Sequence, residues 1–188
     1  MRKEGTNRVC PVEHAGILEN PLRRLLQNPK KILAPFLEKG MTILDLGCGP
    51  GFFTIEMAKM LDNSCKIIAA DLQEGMLEKV SQKIKGTQFE QSIELHLCQS
   101  YRIGIKEKVD FILAFYLIHE VTDQDSLFEE LKSILKPNGK IFIVEPCFHV
   151  SRESFEVVLN KIKSFGFDIV EMPKIFFSRA VVLKKSSG

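Results

Sequence analysis

Along this chain, short continuous runs of apolar residues alternate with longer segments in which apolar residues recur at helical spacing. A regular alternation of buried strands and helices predicts an α/β fold with a largely parallel sheet. The run over residues 110–116 is typical of a central strand that is buried on both faces. The predicted strands are residues 43–46, 66–70, 93–97, 110–116, 141–144, 167–171 and 175–183.

The two ends of the chain depart from this alternation. Only residues 172–174 separate the last two predicted strands, and so short a connection forces an antiparallel pair. Before the first strand, four leucines recur at near-helical spacing, and Asn20-Pro21 and Asn28-Pro29 are predicted helix starts. One or two helices are therefore expected there. The four leucines are Leu18, Leu22, Leu25 and Leu26.

The length of 188 residues suits a single domain with a sizeable core. Within it we expect an N-terminal helical segment over residues 1–40, a core over residues 41–184 and a disordered polar tail over residues 185–188. The N-terminus lacks the apolar region of a signal peptide, and the longest apolar run, residues 111–118, is too short to cross a bilayer. A cytoplasmic protein without a membrane span is predicted.

Charge and cysteine content exclude some classes of protein. The formal net charge of +2 is too near neutral to predict a nucleic-acid partner. The five cysteines are odd in number and include no C-x-x-C pair, which argues against a disulfide framework and a zinc finger. Cys10, His14, Cys147 and His149 would meet only if the N-terminal segment folds over the site, and their spacing matches no metal motif. No metal is predicted.

The stretch TILDLGCGPGFFT, residues 42–54, is the most informative part of the chain. An apolar run is followed by Gly47, Gly49 and Gly51 at alternate positions, and then by a segment of helical period. Glycines allow sharp turns with positive φ and let a ligand lie against the backbone, while the following helix presents N–H groups and a positive dipole end. This combination predicts a site for a nucleoside ligand.

Two details separate this turn from a dinucleotide-binding site. Its glycines follow the spacing G-x-G-x-G rather than G-x-G-x-x-G. Asp45 lies two residues before the first glycine, where its carboxylate would repel a pyrophosphate and attract a cation such as an ammonium group. The turn is therefore better suited to a nucleoside that carries a positively charged amino-acid tail.

Asp45 and the three glycines resemble motif I, D/E-x-G-x-G-x-G, of the class I S-adenosylmethionine-dependent methyltransferases. The sequences L-K-P-N-G-K at residues 135–140 and H-E-V at residues 119–121 are similar to the ubiquinone/menaquinone-type, small-molecule members of that family. The resemblance implies a doubly wound, Rossmann-like sheet of seven mostly parallel strands, with helices before it and an antiparallel hairpin at its end. It also implies S-adenosyl-L-methionine as cofactor, S-adenosyl-L-homocysteine as product, and an N-terminal lid.

The resemblance and the side-chain chemistry together suggest which residues hold the cofactor. Asp71 ends the second strand, where one carboxylate suits two ribose hydroxyls, although a helix cap is an alternative. Many family members carry an aspartate after the third strand that receives the adenine amino group. Here Gln99 or Ser100 would accept that hydrogen bond, unless the segment is a plain surface loop. The expected cofactor-binding residues are Asp45, Gly47, Cys48, Gly49, Gly51, Asp71, Leu72, Gln99, Ser100 and Tyr116.

Methyl transfer needs a base only when the nucleophilic atom of the acceptor carries a proton at neutral pH. His119 is the candidate catalytic base, because imidazole titrates near neutrality and this residue follows the central strand. Tyr116 is the second catalytic candidate and His149 the third. The alternatives are a structural hydrogen bond for His119 and simple packing at the strand end for Tyr116.

Three functions remain open at this point. The first is an S-adenosylmethionine-dependent methyltransferase that acts on an unnamed small-molecule acceptor. A nicotinamide-dependent oxidoreductase would share the glycine turn and Asp71, but not the glycine spacing or Asp45. The third is a non-catalytic protein that binds the cofactor. The sequence FYLIHEV stands where an N/D-P-P-Y/F signature would follow the fourth strand, which disfavours amino methylation of DNA or protein.

Overall fold

A computed structural model describes residues 27–186, over which strands and helices alternate as the sequence pattern predicts. The strands are β1 (Thr42–Leu46), β2 (Lys66–Asp71), β3 (Ile93–Leu97), β4 (Val109–Phe115), β5 (Leu135–Pro146), β6 (Phe167–Glu171) and β7 (Ser178–Lys185). The helices are α1 (Pro29–Leu33), α2 (Phe52–Leu61), α3 (Glu74–Ile84), α4 (Gln124–Ile134) and α5 (Arg152–Ser164), and a 3₁₀ turn (Ile118–Glu120) lies between β4 and α4.

The seven strands form one sheet in the order β3-β2-β1-β4-β5-β7-β6. Strand β1 pairs in parallel with both β2 and β4, so Leu44 lies between Ile68 and Ile112. The strand order reverses its direction at β1, which makes the carboxyl ends of β1 and β4 the expected position for a ligand. Strand β7 runs antiparallel to β5 and β6. The structure confirms a seven-stranded mixed sheet with helices, and the C-terminal pair β6–β7 is antiparallel as predicted, although β7 lies between β5 and β6 in the strand order.

Apolar side chains cover both faces of the sheet, which is why its inner strands carry no polar alternation. Leu44 and its neighbours in the adjacent strands pack on one face against α4 and α5, where Phe128 and Phe155 are buried. Ile43 points to the other face and packs in a second cluster that contains Met57 of α2. Burial of each such side chain contributes about 1.5–3 kcal/mol, so this core holds the strand ends in fixed positions.

Helices α1, α4 and α5 begin at polar side chains that accept a hydrogen bond from the first helical turn, whereas no side chain caps α2 or α3. Ser151 Oγ accepts the N–H of Ser154 at 3.1 Å at the start of α5. Asp123 Oδ1 accepts the N–H of Ser126 at 3.1 Å at the start of α4. Such caps satisfy backbone donors that have no partner inside the helix, and each is worth about 1 kcal/mol.

Several predicted boundaries differ from the observed ones. Strand β5 already begins at Leu135, because residues 136–139 form a bulge: Val109 pairs with Leu135, but Phe111 pairs with Lys140. The last strand begins at Ser178 rather than at residue 175, since Phe177 has a φ of +48° and is not extended. Strand β4 ends at Phe115, because Tyr116 has a φ of +63°.

The predicted N-terminal segment is described only from residue 27 onward, and that part contains α1. Asn28 caps this helix through Oδ1, which accepts the N–H of Lys31 at 3.3 Å, and Pro29 occupies its first turn. The predicted leucine-bearing helix, Cys10 and His14 lie outside the described residues. The polar tail is described as far as residue 186, and Lys185 belongs to β7. Within residues 27–186, no helix combines the length and the apolar character that crossing a bilayer requires.

Candidate active site

A cavity of about 610 Å³ opens at the carboxyl ends of the parallel strands. Its wall brings together the ends of three strands and the segments that follow four strands. These are the end of β1 with the glycine turn, residues 71–73 at the end of β2, residues 98–103 after β3, and residues 115–117 and 119–123 at the end of β4. A volume of about 300–1,000 Å³ is usual for small-molecule and cofactor sites. The site therefore lies at the sheet edge that the strand order indicates.

The glycine turn packs closely against the chain segments around it. The N–H groups of Gly47 and Cys48 both donate to the carbonyl of Ala70, at 2.8 and 3.0 Å. Gly47 has a φ of +71°, and a Cβ atom placed on it would lie 2.8 Å from Leu117 Cδ1. This position therefore requires glycine for both its backbone conformation and its close contact.

Asp45 lies under the turn and is only 2% exposed. Thr54, which is fully buried in the first turn of α2, donates its hydroxyl to Asp45 Oδ2 at 2.6 Å. The hydrogen bond fixes the orientation of the carboxylate, which borders the cavity. A buried carboxylate at this place favours a cationic group of a ligand over an anionic one.

Asp71 accepts hydrogen bonds from both the glycine turn and the segment that follows β2. Its Oδ2 accepts the N–H of Gly49 at 2.9 Å, and its Oδ1 accepts the N–H of Gln73 at 2.9 Å. Burial raises the pKa of Asp71 above its ordinary value, although the hydrogen bonds from Gln73, Gly49 and Leu72 oppose this. Three N–H donors on about four acceptor positions leave the carboxylate able to accept a further hydrogen bond from a ligand hydroxyl. The neighbouring Leu72 is 43% exposed and borders the cavity.

The loop after β3 is closed by a pair of backbone hydrogen bonds. The N–H of Gln99 donates to Arg102 O at 3.0 Å, and the N–H of Arg102 donates to Gln99 O at 3.2 Å. Gln99 and Ser100 are exposed and both border the cavity. From α4, Glu130 Oε2 accepts the N–H groups of Ile103 and Gly104 at 2.9 and 3.0 Å. Glu130 therefore fixes the position of this loop.

Two thiols, those of Cys48 and Cys98, also border the cavity. Burial, together with the negative charges of Asp45 and Asp71, raises the pKa of Cys48 well above its ordinary value. Burial and the charges of Asp71 and Glu130 raise the pKa of Cys98 to about 12. Both side chains are therefore neutral thiols at physiological pH.

Tyr116 begins the turn after β4 in a left-handed backbone conformation, with a φ of +63°. Its N–H donates to Val144 O at 2.7 Å, which continues the pairing with β5 for one residue. Its hydroxyl lies 2.7 Å from Ser178 Oγ and accepts a hydrogen bond from the side chain of Gln27. Because Ser178 donates its own proton to Phe176 O, the Tyr116 hydroxyl donates to Ser178. This arrangement orients the ring rather than freeing the hydroxyl for catalysis.

His119 lies in the 3₁₀ turn and pairs with Glu145 at the end of β5. Nδ1 of His119 is 2.6 Å from Glu145 Oε2, and Glu145 also accepts the N–H groups of Ile118 and His119 at 3.0 and 3.2 Å. Burial lowers the pKa of His119, but the hydrogen bond and charge of Glu145 and the charge of Glu120 outweigh it and raise the pKa above 6.5. His119 borders the cavity.

A model of the family described as "Methyltransferase domain" matches residues 37–173 of this chain. The chain belongs to the methyltransferase domain family. This membership agrees with the sequence resemblance, and it accounts for the glycine turn and for the sheet that positions it.

Similar proteins carry related names. A demethylmenaquinone methyltransferase from Lactobacillus johnsonii is 30% identical over 71% of this chain and 58% of its own length. The ubiquinone/menaquinone biosynthesis C-methyltransferase UbiE from Escherichia coli is 24% identical over 74% of this chain and 53% of its own length. The chain thus spans little more than half the length of these relatives. The crystal structure of a SAM dependent methyltransferase from Aquifex aeolicus has 26% identity and a TM-score of 0.83, covering 93% of this chain and 98% of that one.

Most of the expected site residues of this methyltransferase domain border the cavity, and Gly51 does not. Gly51 precedes α2 with a φ of +87°, and a Cβ atom on it would lie 3.0 Å from Val80 Cγ2. Its place in the fold is therefore explained by helix packing. The expected residues that border the cavity are Asp45, Gly47, Cys48, Gly49, Asp71, Leu72, Gln99, Ser100, Tyr116 and His119.

Sequence reasoning assigned no role to Thr54, Glu130 or Glu145. Glu145 had a usable signal, because it ends an apolar strand just as Asp45 and Asp71 do. Thr54 and Glu130 lie within helices and carry no local signal. Cys147 and His149 lie after β5, and no three His, Cys, Asp or Glu side chains within residues 27–186 form a group able to hold a metal.

Proposed function

We propose that this chain is an S-adenosylmethionine-dependent methyltransferase that acts on a small-molecule acceptor. The observation that carries the proposal is the position of two buried carboxylates, Asp45 and Asp71, on either side of one glycine turn. A cationic amino-acid tail suits Asp45, and a ribose suits Asp71. The residues present therefore fit this cofactor better than a dinucleotide, whose pyrophosphate Asp45 would repel.

Each part of the cofactor has a candidate partner. Asp45 would balance the ammonium charge, while the backbone at Gly47 and Gly49 would lie against the methionine portion. Asp71 would accept the ribose hydroxyls, and Leu72 would pack beside them. Gln99 or Ser100 would accept a hydrogen bond from the adenine amino group, since both border the cavity. When bound, S-adenosylmethionine supplies a methyl group on a positively charged sulfur.

The acceptor would occupy the end of the cavity next to the turn after β4. Aromatic rings line this end: Phe115 lies 4.6 Å from Tyr116 between ring centroids, and Tyr116 lies 6.4 Å from Phe148. Flat apolar molecules pack well against such surfaces. The relatives named above are called demethylmenaquinone and ubiquinone/menaquinone methyltransferases, so we propose a quinone-related ring as the acceptor class.

The N-terminal lid is also part of the proposal. Gln27, the first described residue, reaches the hydroxyl of Tyr116 at the acceptor end of the cavity. This contact brings Gln27 beside the site, where its side chain would help to exclude water from the reaction.

Calorimetric titration of the full chain with S-adenosylmethionine, S-adenosylhomocysteine and, separately, NAD tests the function. We expect micromolar binding of the first two, and a loss of that binding in Asp45→Asn. Asp168→Asn is the matched control, because Asp168 is an exposed carboxylate on the edge strand β6. Binding of NAD alone would replace the proposal with the nicotinamide-dependent oxidoreductase. Cofactor binding without methyl transfer to a broad acceptor panel would favour the non-catalytic protein.

A further inference from the structure

Glu145 is a buried carboxylate in an unusual setting. It is 2% exposed, and within residues 27–186 the one basic side chain at salt-bridge distance is His119. Burying a carboxylate is costly unless hydrogen bonds and an opposite charge compensate for it. Three N–H groups of the 3₁₀ turn, two from the backbone and one from the His119 ring, supply that compensation.

The hydrogen bond to Glu145 determines which nitrogen of His119 carries the proton. Since Nδ1 donates to the carboxylate at 2.6 Å, Nε2 of the neutral ring carries the lone pair. His119 borders the cavity, whereas Glu145 lies behind it. Within residues 27–186, no side chain or backbone group forms a hydrogen bond with Nε2. The ring therefore has a basic nitrogen available to a bound molecule.

In the described part of the chain, three other ionisable groups lie close to this ring. Glu145 faces it from β5, Glu120 follows it in the same turn, and the His149 ring lies 5.6 Å away between centroids. The two carboxylates favour the imidazolium form, while a charged His149 would oppose it. A positive charge that forms on His119 during a reaction would therefore be stabilised where it arises.

We propose that His119 is the base that removes a proton from the methyl acceptor, and that Glu145 is the positioning residue that orients and stabilises it. This inference rests on the proposed function. It implies an acceptor whose reacting atom carries an acidic proton, such as a hydroxyl or an activated carbon. An unprotonated amine would need no base before its attack.

For an acceptor X–H, the step transfers one proton to His119 and one methyl group to X. Nε2 of His119 takes the proton, the electron pair of X–H forms the bond to the methyl carbon, and the carbon–sulfur bond breaks with its electrons on sulfur. The products are X–CH₃, neutral S-adenosylhomocysteine and an imidazolium beside Glu145. The positive charge thus passes from the sulfonium to His119, and water later removes the proton.

Proton NMR titration of the histidines in the ligand-free full chain tests the pairing without any cofactor. Glu145→Gln is expected to lower the pKa of His119 by about one unit, because it removes the neighbouring negative charge. His96 on β3 serves as the internal reference, since its Nε2 contacts Ile103 O rather than Glu145. An unchanged His119 pKa in folded Glu145→Gln would overturn the pairing.

His119→Asn provides a second test that does not disturb the carboxylate, because the Asn amide can still donate to Glu145. Two probes are offered with S-adenosylmethionine: 1,4-dihydroxynaphthalene and 1-aminonaphthalene. We expect methylation of the diol and a roughly 10²–10⁴-fold lower kcat in His119→Asn, with unchanged cofactor affinity. In Glu145→Gln, the part of the pH–rate profile that reports deprotonation of His119 should lie at lower pH than in the unmodified chain. Methylation of the amine alone, or full activity of His119→Asn, would overturn the inference, whereas absent cofactor binding would contradict the proposed function itself.

Discussion

The N–H of Gly49 donates to the carboxylate of Asp71 at 2.9 Å, which links the turn after β1 to the end of β2. The two residues are 22 positions apart in the sequence, and parallel pairing of β1 with β2 brings them together. The carboxylate proposed to bind the ribose is therefore also the one that holds the turn in place. Loss of Asp71 should affect both the shape of the site and its hydrogen bonding.

Replacing Asp71 with Ala should raise the dissociation constant for S-adenosylhomocysteine about 10- to 150-fold. A hydrogen bond to a charged group is worth about 1.5–3 kcal/mol, and the turn also loses its anchor. Isothermal titration calorimetry measures the change. Asp168→Ala on the edge strand β6 should bind like the unmodified chain. Equal affinities for all three proteins would remove Asp71 from the site.

Gly47→Ala should destabilise the chain more than Gly86→Ala. Both glycines have similar positive φ angles, +71° and +69°, so each substitution carries a backbone cost of roughly 1–2 kcal/mol. Only at Gly47 would the new Cβ also lie 2.8 Å from Leu117, whereas no atom lies within 4 Å of the corresponding position at Gly86. Urea unfolding of the ligand-free variants separates the two costs. Equal losses would show that Leu117 moves away without penalty.

Thr54→Val should weaken cofactor binding although Thr54 lies beneath the site. The substitution keeps the side-chain volume but removes the 2.6 Å hydrogen bond that orients Asp45, at a cost of about 1–3 kcal/mol. Thr54→Ser retains the hydroxyl and is expected to preserve affinity for S-adenosylhomocysteine. If Thr54→Ser and Thr54→Val bind equally, the orientation of Asp45 does not depend on this bond.

His119 should contribute to stability in a pH-dependent way. Its pKa is raised in the folded chain, so its contribution is fully present below the unfolded value of about 6.5 and is lost as pH rises through the folded value. The difference in unfolding free energy between the unmodified chain and His119→Asn should therefore fall with rising pH, by at most about 1.36 kcal/mol per unit. Urea unfolding at several pH values measures it. A difference that grows with pH would contradict the raised pKa.

The parts of the site that could be predicted are those specified by neighbouring residues. Asp45 and Gly47 occur within three positions, and Asp71 directly follows an apolar run, so chain order alone indicates their place at a sheet edge. Gly51 fits the spacing of the motif, and its positive φ and its close packing against Val80 also favour glycine there, so its cofactor contact stays a prediction.

The unpredicted parts depend on contacts between residues far apart in the sequence. Glu130 reaches Ile103 across 27 positions, and Glu145 reaches His119 across 26. No local sequence pattern indicates which helix or strand will pack against a given turn. The start of β5 was predicted wrongly for a related reason. Residues 136–139 form a bulge within β5 rather than a separate turn because Val109 pairs with Leu135, and this pairing joins distant parts of the sequence.

The raised pKa values of Cys48 and Cys98 affect how readily these two thiols are chemically modified. A sulfonium is an alkylating agent, and a thiolate beside it would compete with the acceptor and be permanently modified. Burial and the charges of Asp71 and Glu130 raise the pKa of Cys98 to about 12, so its thiol is almost entirely protonated at pH 7. Burial and the neighbouring carboxylates together raise the pKa of both thiols, which therefore stay protonated beside the proposed cofactor site and are poor targets for alkylation and for oxidants that attack thiolates.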